Sequence, residues 1–345
     1  MEVIGTFRRE AMATIYEVSK LVGVSVATVS RVINGSGRVS DKTRQKVLSA
    51  MRALDYQPNS IAQSLASNRS NCVGVLVSEV HGPVFGAMLS GIEAELRAAG
   101  KLTIFATGHN VEAKEREAIR FLVSRNCDAL IMHVEALADA FIHQQAHQGP
   151  PLLIMNRVVS GLEDRCISLD NEHGGYVATN MLLEMRHRRI AYISGPLAWG
   201  DARARLEGHA RALREHGLKL DQRLVIESNF HEVGGSEAMA ELLRRDIPFS
   251  AVVCANDEMA AGAMDTLRTE GRSIPDDISL VGFDNAPLSR YLYPKLSTVN
   301  YPITEMGRMA AHWVLENVYG HSGANFQNIF EPTLVIRASA APGPD

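Results

Sequence analysis

The chain has 345 residues, of which 46% are hydrophobic and only 6% aromatic. This length exceeds that of one typical domain, so two or three folding units are expected. No apolar run approaches the roughly 20 residues that cross a bilayer, and the N-terminus lacks the regions of a signal peptide. These features argue against a membrane-spanning or exported protein, and the chain is expected to be cytoplasmic.

The net charge of −4 is unevenly distributed. Residues 1–70 contain ten Lys/Arg and five Asp/Glu side chains, a local charge of about +5, whereas the remaining 25 basic and 34 acidic side chains give about −9. Attraction to a polyanion depends on local rather than total charge. The asymmetry predicts a basic DNA-facing head on an acidic body.

The head begins with signals for three short helices. Thr14 and Glu17 stand at capping-box spacing, Gly23 ends the first helix, and Ser25 and Ser40 can cap the next two. The inward-facing stripes are predicted as Ile15, Val18, Leu21 and Val22, then Val29 and Val32, then Val47, Leu48, Met51 and Leu54. Two helices joined through one glycine predict a helix-turn-helix, and the third helix closes its core.

The second helix of such a unit enters the major groove with its N-terminus first. This geometry directs Val26, Ala27 and Arg31 toward base edges, and Arg31 can bond a guanine bidentately. The side chains suited to phosphate contacts are Ser25, Thr28, Ser30, Asn34 and Thr43. The alternative is a three-helix protein-binding module with a solvated polar face.

A further short helix is indicated from Asn59 to Ala66, with Asn59 as its cap. Eight residues are too few for an isolated helix, since roughly 12–15 are marginal in water. We therefore expect the segment to fold when paired with a second copy on DNA, with Leu65 wedged into a minor-groove base step. A plain linker is the alternative.

Four strings in the head carry a family resemblance: Ala13–Val18, Gly23–Asn34, Val39-Ser40 with Thr43-Arg44, and Leu54–Asn59. Together they resemble the DNA-binding head of the LacI/GalR repressor family. We accordingly add Tyr16, Asn59, Ala62 and Leu65 to the predicted DNA-contacting residues. The resemblance also implies that a family member begins at Met12, so residues 1–11 are an extension or a start-site artefact.

After Ser70, short apolar runs alternate with amphipathic helices, a pattern typical of parallel sheets covered on both faces. The predicted strands are Cys72–Val77, Leu102–Ala106, Ala129–His133, Pro151–Met155, Cys166–Leu169, Arg189–Ser194, Leu224–Glu227, Ala251–Cys254 and Ile278–Phe283. The predicted fold class is a small all-α helix-turn-helix head plus an α/β core of two doubly wound lobes.

Open α/β sheets bind ligands beyond the carboxyl ends of their strands. Polar or aromatic residues follow four predicted strands, namely His81 and Phe85, Asn156-Arg157, Asn256-Asp257, and Asp284-Asn285. They could ring a cleft in which amides and carboxylates bond sugar hydroxyls, an arginine bridges two of them, and an aromatic ring stacks on the sugar. Taken singly, Asp284-Asn285 is equally a turn, Asn256 a helix cap, and Phe230 a packing residue.

The family resemblance continues through the body, over residues 12–336. It rests on Lys114–Ile119, Asn156–Val159, Arg165–Ile167, Leu169–Asn171, Asn256–Ala263, Gly282–Asp284 and Tyr301–Ile303, which look most like the galactose repressor and isorepressor branch. The resemblance implies effector contacts by Asn156, Arg205, Phe230, Asn256 and Asp284. It also implies a periplasmic-binding-protein-like core whose chain crosses between lobes near Asp170, Thr298 and Phe330.

These patterns divide the chain into five regions. They are an extension (1–11), a helix-turn-helix domain (12–58), a hinge helix and linker (59–70), an effector-binding and dimerisation core (71–337) and a flexible tail (338–345). Within the core, the N-lobe takes about 71–170 and 299–329, and the C-lobe about 171–298 and 330–337. The tail lacks the apolar heptads that would join two dimers, so a homodimer is expected.

Two positions depart from the family pattern. Val84 stands where relatives often carry a phenylalanine, which removes one aromatic wall of the cleft. Arg186 replaces a glycine, so the helix there must end without a left-handed glycine.

The predicted function is a repressor of carbohydrate-metabolism genes that a galactose-like sugar releases from a palindromic operator. A purine-type corepressor in the same cleft is the closest alternative, and a solute-binding protein a more distant one. The usual enzyme motifs are missing, and no cofactor is expected. Four spaced cysteines are interpreted as buried thiols, and His143 and His147 as a solvated helix face rather than a metal site.

Overall fold

The computed structural model describes residues 13–33, 37–57, 69–322 and 325–344. The chain forms two units, Met1–Asn71 and Cys72–Asp345. The predicted hinge residues Asn59, Ala62 and Leu65, and Asn34 in the head, lie outside the described residues, as do residues 1–12.

Within its described residues, the head contains three helices, α1 (Ile15–Val22), α2 (Val26–Ile33) and α3 (Asp41–Ala53). Thr14 and Glu17 form the predicted capping box, and Gly23 ends α1 in the left-handed conformation at φ 73°. Ser25 and Ser40 accept hydrogen bonds from the backbone N–H groups of Thr28 and Thr43.

The head closes around Val18, Val29, Val32, Val47 and Ala50. Two residues predicted to face inward do not, because Leu21 is 58% exposed and Leu48 38% exposed. Three helices of 8, 8 and 13 residues enclose too little volume to cover every apolar position in their stripes.

The core unit begins with five strands alternating with helices. These elements are β1 (Cys72–Val77), α4 (Pro83–Ala98), β2 (Leu102–Thr107), α5 (Glu112–Ser124), β3 (Ala129–His133), α6 (Asp139–Gln148), β4 (Leu152–Met155) and β5 (Cys166–Leu169). Alternate residues of β1 face opposite sides, with Val73 and Val75 in one apolar cluster and Leu76 in another. The inner strands of this first sheet are therefore buried on both faces, as predicted, whereas the edge strand β2 is partly exposed.

The chain then builds a second sheet. Its elements are α7 (Asn171–Glu184), β6 (Ile190–Ser194), α8 (Gly200–Glu215), β7 (Val225–Glu227), α9 (Glu232–Arg244), β8 (Ala251–Cys254), α10 (Asp257–Thr269), β9 (Ser279–Asp284) and β10 (Ser297–Asn300). The nine predicted strands β1 to β9 are present, each within one residue of its predicted ends.

Three further elements follow, α11 (Ile303–Tyr319), β11 (Ile329–Phe330) and β12 (Thr333–Val335). The strand orders are β11-β5-β4-β3-β1-β2 and β12-β10-β9-β8-β6-β7. All pairs are parallel except β10 with β12. The chain therefore passes between the sheets three times, after β5, after β10, and between β11 and β12, so the second crossover follows Asn300 rather than Thr298.

The C-terminal segment corrects one expectation, because residues 338–344 are not a flexible tail. Ser339 is fully buried, and its hydroxyl donates to the Leu280 carbonyl over 2.6 Å. Farther along, the Ala341 carbonyl accepts from Nε2 of buried His187, and the Gly343 N–H donates to the Met185 carbonyl. The small Ala, Ser and Gly residues that suggested flexibility instead let the chain lie flat against the second lobe.

Candidate functional site

The head presents one face of α2 to the outside. Ala27 and Arg31 are exposed and Val26 is half-buried, whereas Val29 and Val32 point into the core. The other described residues predicted to contact DNA are also accessible in part or in full, namely Tyr16 on α1, Ser25, Thr28 and Ser30 on or beside α2, and Thr43 on α3. Among the residues of the head that the structure describes, the predicted reading surface therefore stays accessible.

In the core, a cleft of about 250 Å³ lies between the carboxyl ends of the strands of the two sheets. It brings together all seven residues predicted to bind the effector, which are His81, Phe85, Asn156, Arg205, Phe230, Asn256 and Asp284. They come from the loops after β1, β4, β7 and β8, from the last residue of β9, and from α4 and α8. The strand-end rule thus locates the cleft from both lobes.

Arg205 is the charged centre of this cleft, with only 3% of its surface exposed. Its Nε donates to Oδ1 of Asn171 over 2.8 Å and its Nη1 to the Ala255 carbonyl over 2.6 Å. The guanidinium also lies 3.7 Å from the centroid of the Phe283 ring. These contacts fix its orientation before any ligand arrives.

The helix that carries Arg205 is seated by two close backbone approaches. A Cβ added at Gly208 of α8 would lie 1.9 Å from the Glu172 carbonyl oxygen, and one at Gly175 of α7 would lie 1.9 Å from the Arg205 carbonyl oxygen. Only glycine fits at either position, so the two glycines let α7 and α8 touch along their backbones.

Asp284 and Asn285, the pair predicted as either a turn or a ligand site, differ in their contacts. Asn285 holds the loop, since its side chain bonds both Arg337 and Asn300. The Asp284 carboxyl lines the cleft, is 8% exposed, and has its pKa raised by burial well above the ordinary range. Arg205 opposes that shift.

Asn256 lines the cleft and also caps a helix, as one of its two predicted roles required. Its Oδ1 caps α10 by accepting from the Met259 N–H, and its Nδ2 donates to the Phe230 carbonyl over 2.7 Å.

Three residues that line the cleft have strained backbone conformations. Asn156, Phe230 and Asp284 adopt positive φ angles of 62°, 67° and 107°. Strained backbone of this kind is concentrated at ligand sites, where it aims side chains.

Trp199 supplies an aromatic surface that the sequence reasoning missed. Its ring stacks on Phe230 with centroids 5.7 Å apart, and Phe85 meets His133 edge-on at 5.2 Å. The loss of an aromatic residue at Val84 is therefore offset within the same cleft. Trp199 lies five residues beyond β6, too far from the strand end for the positional rule to find it.

Comparison with known proteins shows which proteins share this architecture. A model of bacterial regulatory proteins of the lacI family matches residues 14–59, and a periplasmic binding protein-like domain matches residues 179–340. The HTH-type transcriptional regulator GalR of Escherichia coli is 42% identical over 330 residues, covering 96% of both chains. GalS of Salmonella typhimurium is 39% identical, covering 96% of this chain and 97% of GalS.

The chain belongs to the LacI family. A solved structure of the lac repressor dimer bound to operator and the anti-inducer ONPF superposes with a TM-score of 0.85 at 27% identity, covering 96% of this chain and 100% of that one. The LacI-family relatives are transcriptional regulators, and this protein is a DNA-binding transcriptional regulator rather than an enzyme.

Other residues of this LacI-family cleft were not predicted, because no rule from sequence singled them out. Tyr301 follows β10, a strand that the sequence did not reveal, and its hydroxyl donates to Oδ1 of Asn156 over 2.9 Å. Glu258 lies against Gly82, and its pKa is raised to about 7 by burial and by Glu232 and Glu79.

A second cavity of about 490 Å³ adjoins the cleft. The two cavities share Glu135, Asn156 and Asp201, which therefore form the wall between them.

Within the described ranges of this LacI-family chain, no helix combines the length and apolar character needed to cross a bilayer.

Proposed function

We propose that a galactose-like sugar binds in the cleft between the lobes and releases the repressor from a palindromic operator. The observation that carries this proposal is the convergence of seven side chains on one cavity that also contains a stacked aromatic pair. Hydroxyl-bonding groups around an aromatic platform suit a sugar, which has polar edges and an apolar face.

The proposed effector contacts come from both lobes. Asp284 and Asn156 offer oxygen or amide groups to sugar hydroxyls, and Arg205 bridges two of them. Phe230, held against Trp199, provides the stacking surface. His81 and Phe85 close the cleft from the first lobe, and Asn256 fixes the loop that carries Phe230.

DNA recognition is assigned to the head of each subunit in a homodimer. We assign base contacts to Val26, Ala27 and Arg31, and minor-groove contacts to the hinge residues Asn59, Ala62 and Leu65. Phosphate contacts are assigned to Ser25, Thr28, Ser30, Asn34 and Thr43, with Tyr16 beside them. We place the protein in the cytoplasm, where the operator is available.

Effector and operator are coupled because each favours a different arrangement of the lobes. Typical coupling of about 1–3 kcal/mol changes operator affinity about 5–150-fold, which is enough to switch transcription. Since the coupling is reciprocal, operator DNA weakens sugar binding by the same factor.

The test combines a gel shift on the native operator with calorimetry on the free protein. We expect D-galactose to bind and to weaken the shifted complex, whereas Arg31→Ala weakens the complex at every sugar concentration without changing sugar affinity. Absence of any response to galactose and related sugars would reject the inducer. If wild-type protein without sugar fails to shift the operator, the operator role itself is rejected.

A purine corepressor is less supported, because the relatives with high identity are GalR and GalS. Calorimetry with guanine or hypoxanthine separates the two effectors. A purine that binds and strengthens the operator complex would replace the sugar in this proposal.

A further inference from the structure

Glu135 of the first lobe reaches the start of α8 in the second lobe. It follows β3 by two residues, and its carboxyl faces the backbone N–H of Gly200 and the side chain of Asp201, the first two residues of α8. Its loop is held by Glu115, whose carboxylate accepts from the backbone N–H groups of Glu135, Ala136 and Leu137 over 3.0–3.3 Å. The position of Glu135 is therefore fixed by the first lobe alone.

A second residue of the first lobe, Asn156, contacts the first turn of α8. Nδ2 of Asn156 donates to Oδ2 of Asp201 over 3.2 Å, while Oδ1 of Asn156 accepts from the Tyr301 hydroxyl. Arg205 lies one helical turn beyond Asp201 on α8. Whatever moves the first turn of α8 relative to the first lobe also moves the charged centre of the cleft.

We propose that Glu135 is a positioning residue that couples the two lobes and holds α8, and with it Arg205, in the arrangement that binds effector. This inference rests on the proposed effector role of the cleft. It concerns the wall between the two cavities rather than the effector contacts themselves.

The charges around Glu135 give the direction of the effect. Burial, and next the carboxylate of Asp201, raise the pKa of Glu135 to about 8, whereas the Gly200 N–H and Arg157 lower it and Glu115 raises it slightly. His133 on β3 also faces Asp201, and burial lowers the pKa of that histidine. Glu135 is thus neutral at pH 7 while the lobes face each other.

When the lobes part, water reaches Glu135 and its pKa returns toward the ordinary value of about 4.3. The facing arrangement holds the proton more tightly, so protonation favours it. This advantage is present at low pH and is lost as pH rises toward about 8, where ionised Glu135 repels Asp201. Effector affinity should therefore fall as pH rises through this range.

Trp199 allows a test without any ligand, because it directly precedes Gly200. In a Trp313→Phe background it is the sole tryptophan, since the chain has two. We expect its fluorescence to change as pH rises from about 4.3 toward about 8, the interval between the pKa of exposed Glu135 and that of Glu135 between the lobes, and we expect Glu135→Gln to abolish that change. Glu207→Gln, which alters an exposed carboxyl on α8 outside the cleft, should retain the transition. A transition that persists in Glu135→Gln, or no transition in this pH range in the background protein, overturns the proposal.

Calorimetry with D-galactose on the full chain tests whether Glu135 affects effector binding. Between about pH 6 and about pH 9, wild-type affinity should fall at least about tenfold, since one pKa unit corresponds to a factor of ten. Glu135→Gln should reduce this fall, leaving the part that comes from the other cleft carboxyls, Asp284 and Glu258. If galactose affinity falls equally with pH in wild type and in Glu135→Gln, the coupling by Glu135 is rejected, but the effector assignment is not. If galactose does not bind at all, the effector assignment fails, and the Trp199 measurement still decides the role of Glu135.

Discussion

Nη1 of Arg205 lies 3.7 Å from Oδ1 of Asp284, a separation too long for a hydrogen bond. That Nη1 instead donates to the Ala255 carbonyl. The pair is therefore close enough for each charge to stabilise the other, while the Asp284 oxygens stay available to a ligand hydroxyl. A site built in this way is pre-organised, and it responds to the loss of either partner.

Arg205→Ala should weaken sugar binding about 10–100-fold, because it removes hydrogen bonds from a charged donor, worth about 1.5–3 kcal/mol, and each 1.4 kcal/mol is a factor of ten. Arg205→Lys should not restore affinity, since an ammonium cannot reproduce the planar fork that serves Asn171 and Ala255. Calorimetry measures both variants. Arg214→Ala, exposed on the same helix, is the matched control and should bind normally. Retained affinity in Arg205→Ala would show that the cleft assignment is wrong.

Arg186 ends α7 at φ 70°, a conformation that glycine adopts more readily than arginine. Arg186→Gly should stabilise the core by about 1 kcal/mol, which raises Tm by roughly 2–4 °C in a domain of this size. Arg189→Gly is the control, because Arg189 has no positive φ, and it should lower Tm. Thermal unfolding followed by circular dichroism measures both changes. A lower Tm in Arg186→Gly would mean that contacts of the arginine outweigh its backbone strain.

His209 is buried in the second lobe, and burial lowers its pKa to about 3. Its Nδ1 bonds the Thr179 hydroxyl over 2.8 Å, so the ring is neutral in the folded protein. The unfolded chain takes up a proton at about pH 6.5, so this stability is present above that pH and falls as pH is lowered.

The expected loss from His209 is about 2 kcal/mol at pH 5, on the scale of 1.36 kcal/mol per pKa unit. Urea unfolding from about pH 7.5 to about pH 5 measures it. His209→Gln should flatten the profile in part, leaving the contribution of His187, whose pKa burial also lowers. The exposed His147→Gln should leave the profile unchanged.

Ending the chain at Arg337 should destabilise the core by roughly 2–5 kcal/mol, because it removes several buried hydrogen bonds worth about 0.5–1.5 kcal/mol each. The main losses are the bonds of Ser339 to Leu280 and Ser297, and the carbonyl of Ala341 that serves His187. Urea unfolding compares this truncation with one that ends at Gly343. The shorter deletion should have a much smaller effect, and equal stability of the two would show that the docked segment contributes little.

The fold was largely predictable because its strands are continuous apolar runs, such as Ala251–Cys254, which period and length identify without tertiary information. The three strands that were missed are short or polar. Ser297–Asn300 reads STVN, and β11 and β12 have two and three residues, so only their neighbours in the sheet define them. Pattern cannot supply that information.

The cleft was predictable where a functional side chain directly follows a strand, as with Asn156, Asn256 and Asp284. It was not predictable where the contact depends on how the lobes face each other. Glu135 and Asp201 are ordinary acidic residues in the sequence, and their significance arises only because the chain returns to place α8 opposite β3. Trp199 was missed because it lies five residues beyond the end of β6, and Tyr301 because it follows β10, a strand that the sequence did not reveal.

The three crossovers mean that neither lobe is a continuous stretch of chain, whereas the head is continuous up to the boundary at Asn71 and Cys72. A single recombination event at that boundary can therefore give a new operator to an old sensor. Exchange of one lobe would need several simultaneous breakpoints. Regulators of this design can diversify by trading heads, while the sensor evolves by substitution within the cleft, and chimeras for synthetic circuits should be cut at the same place.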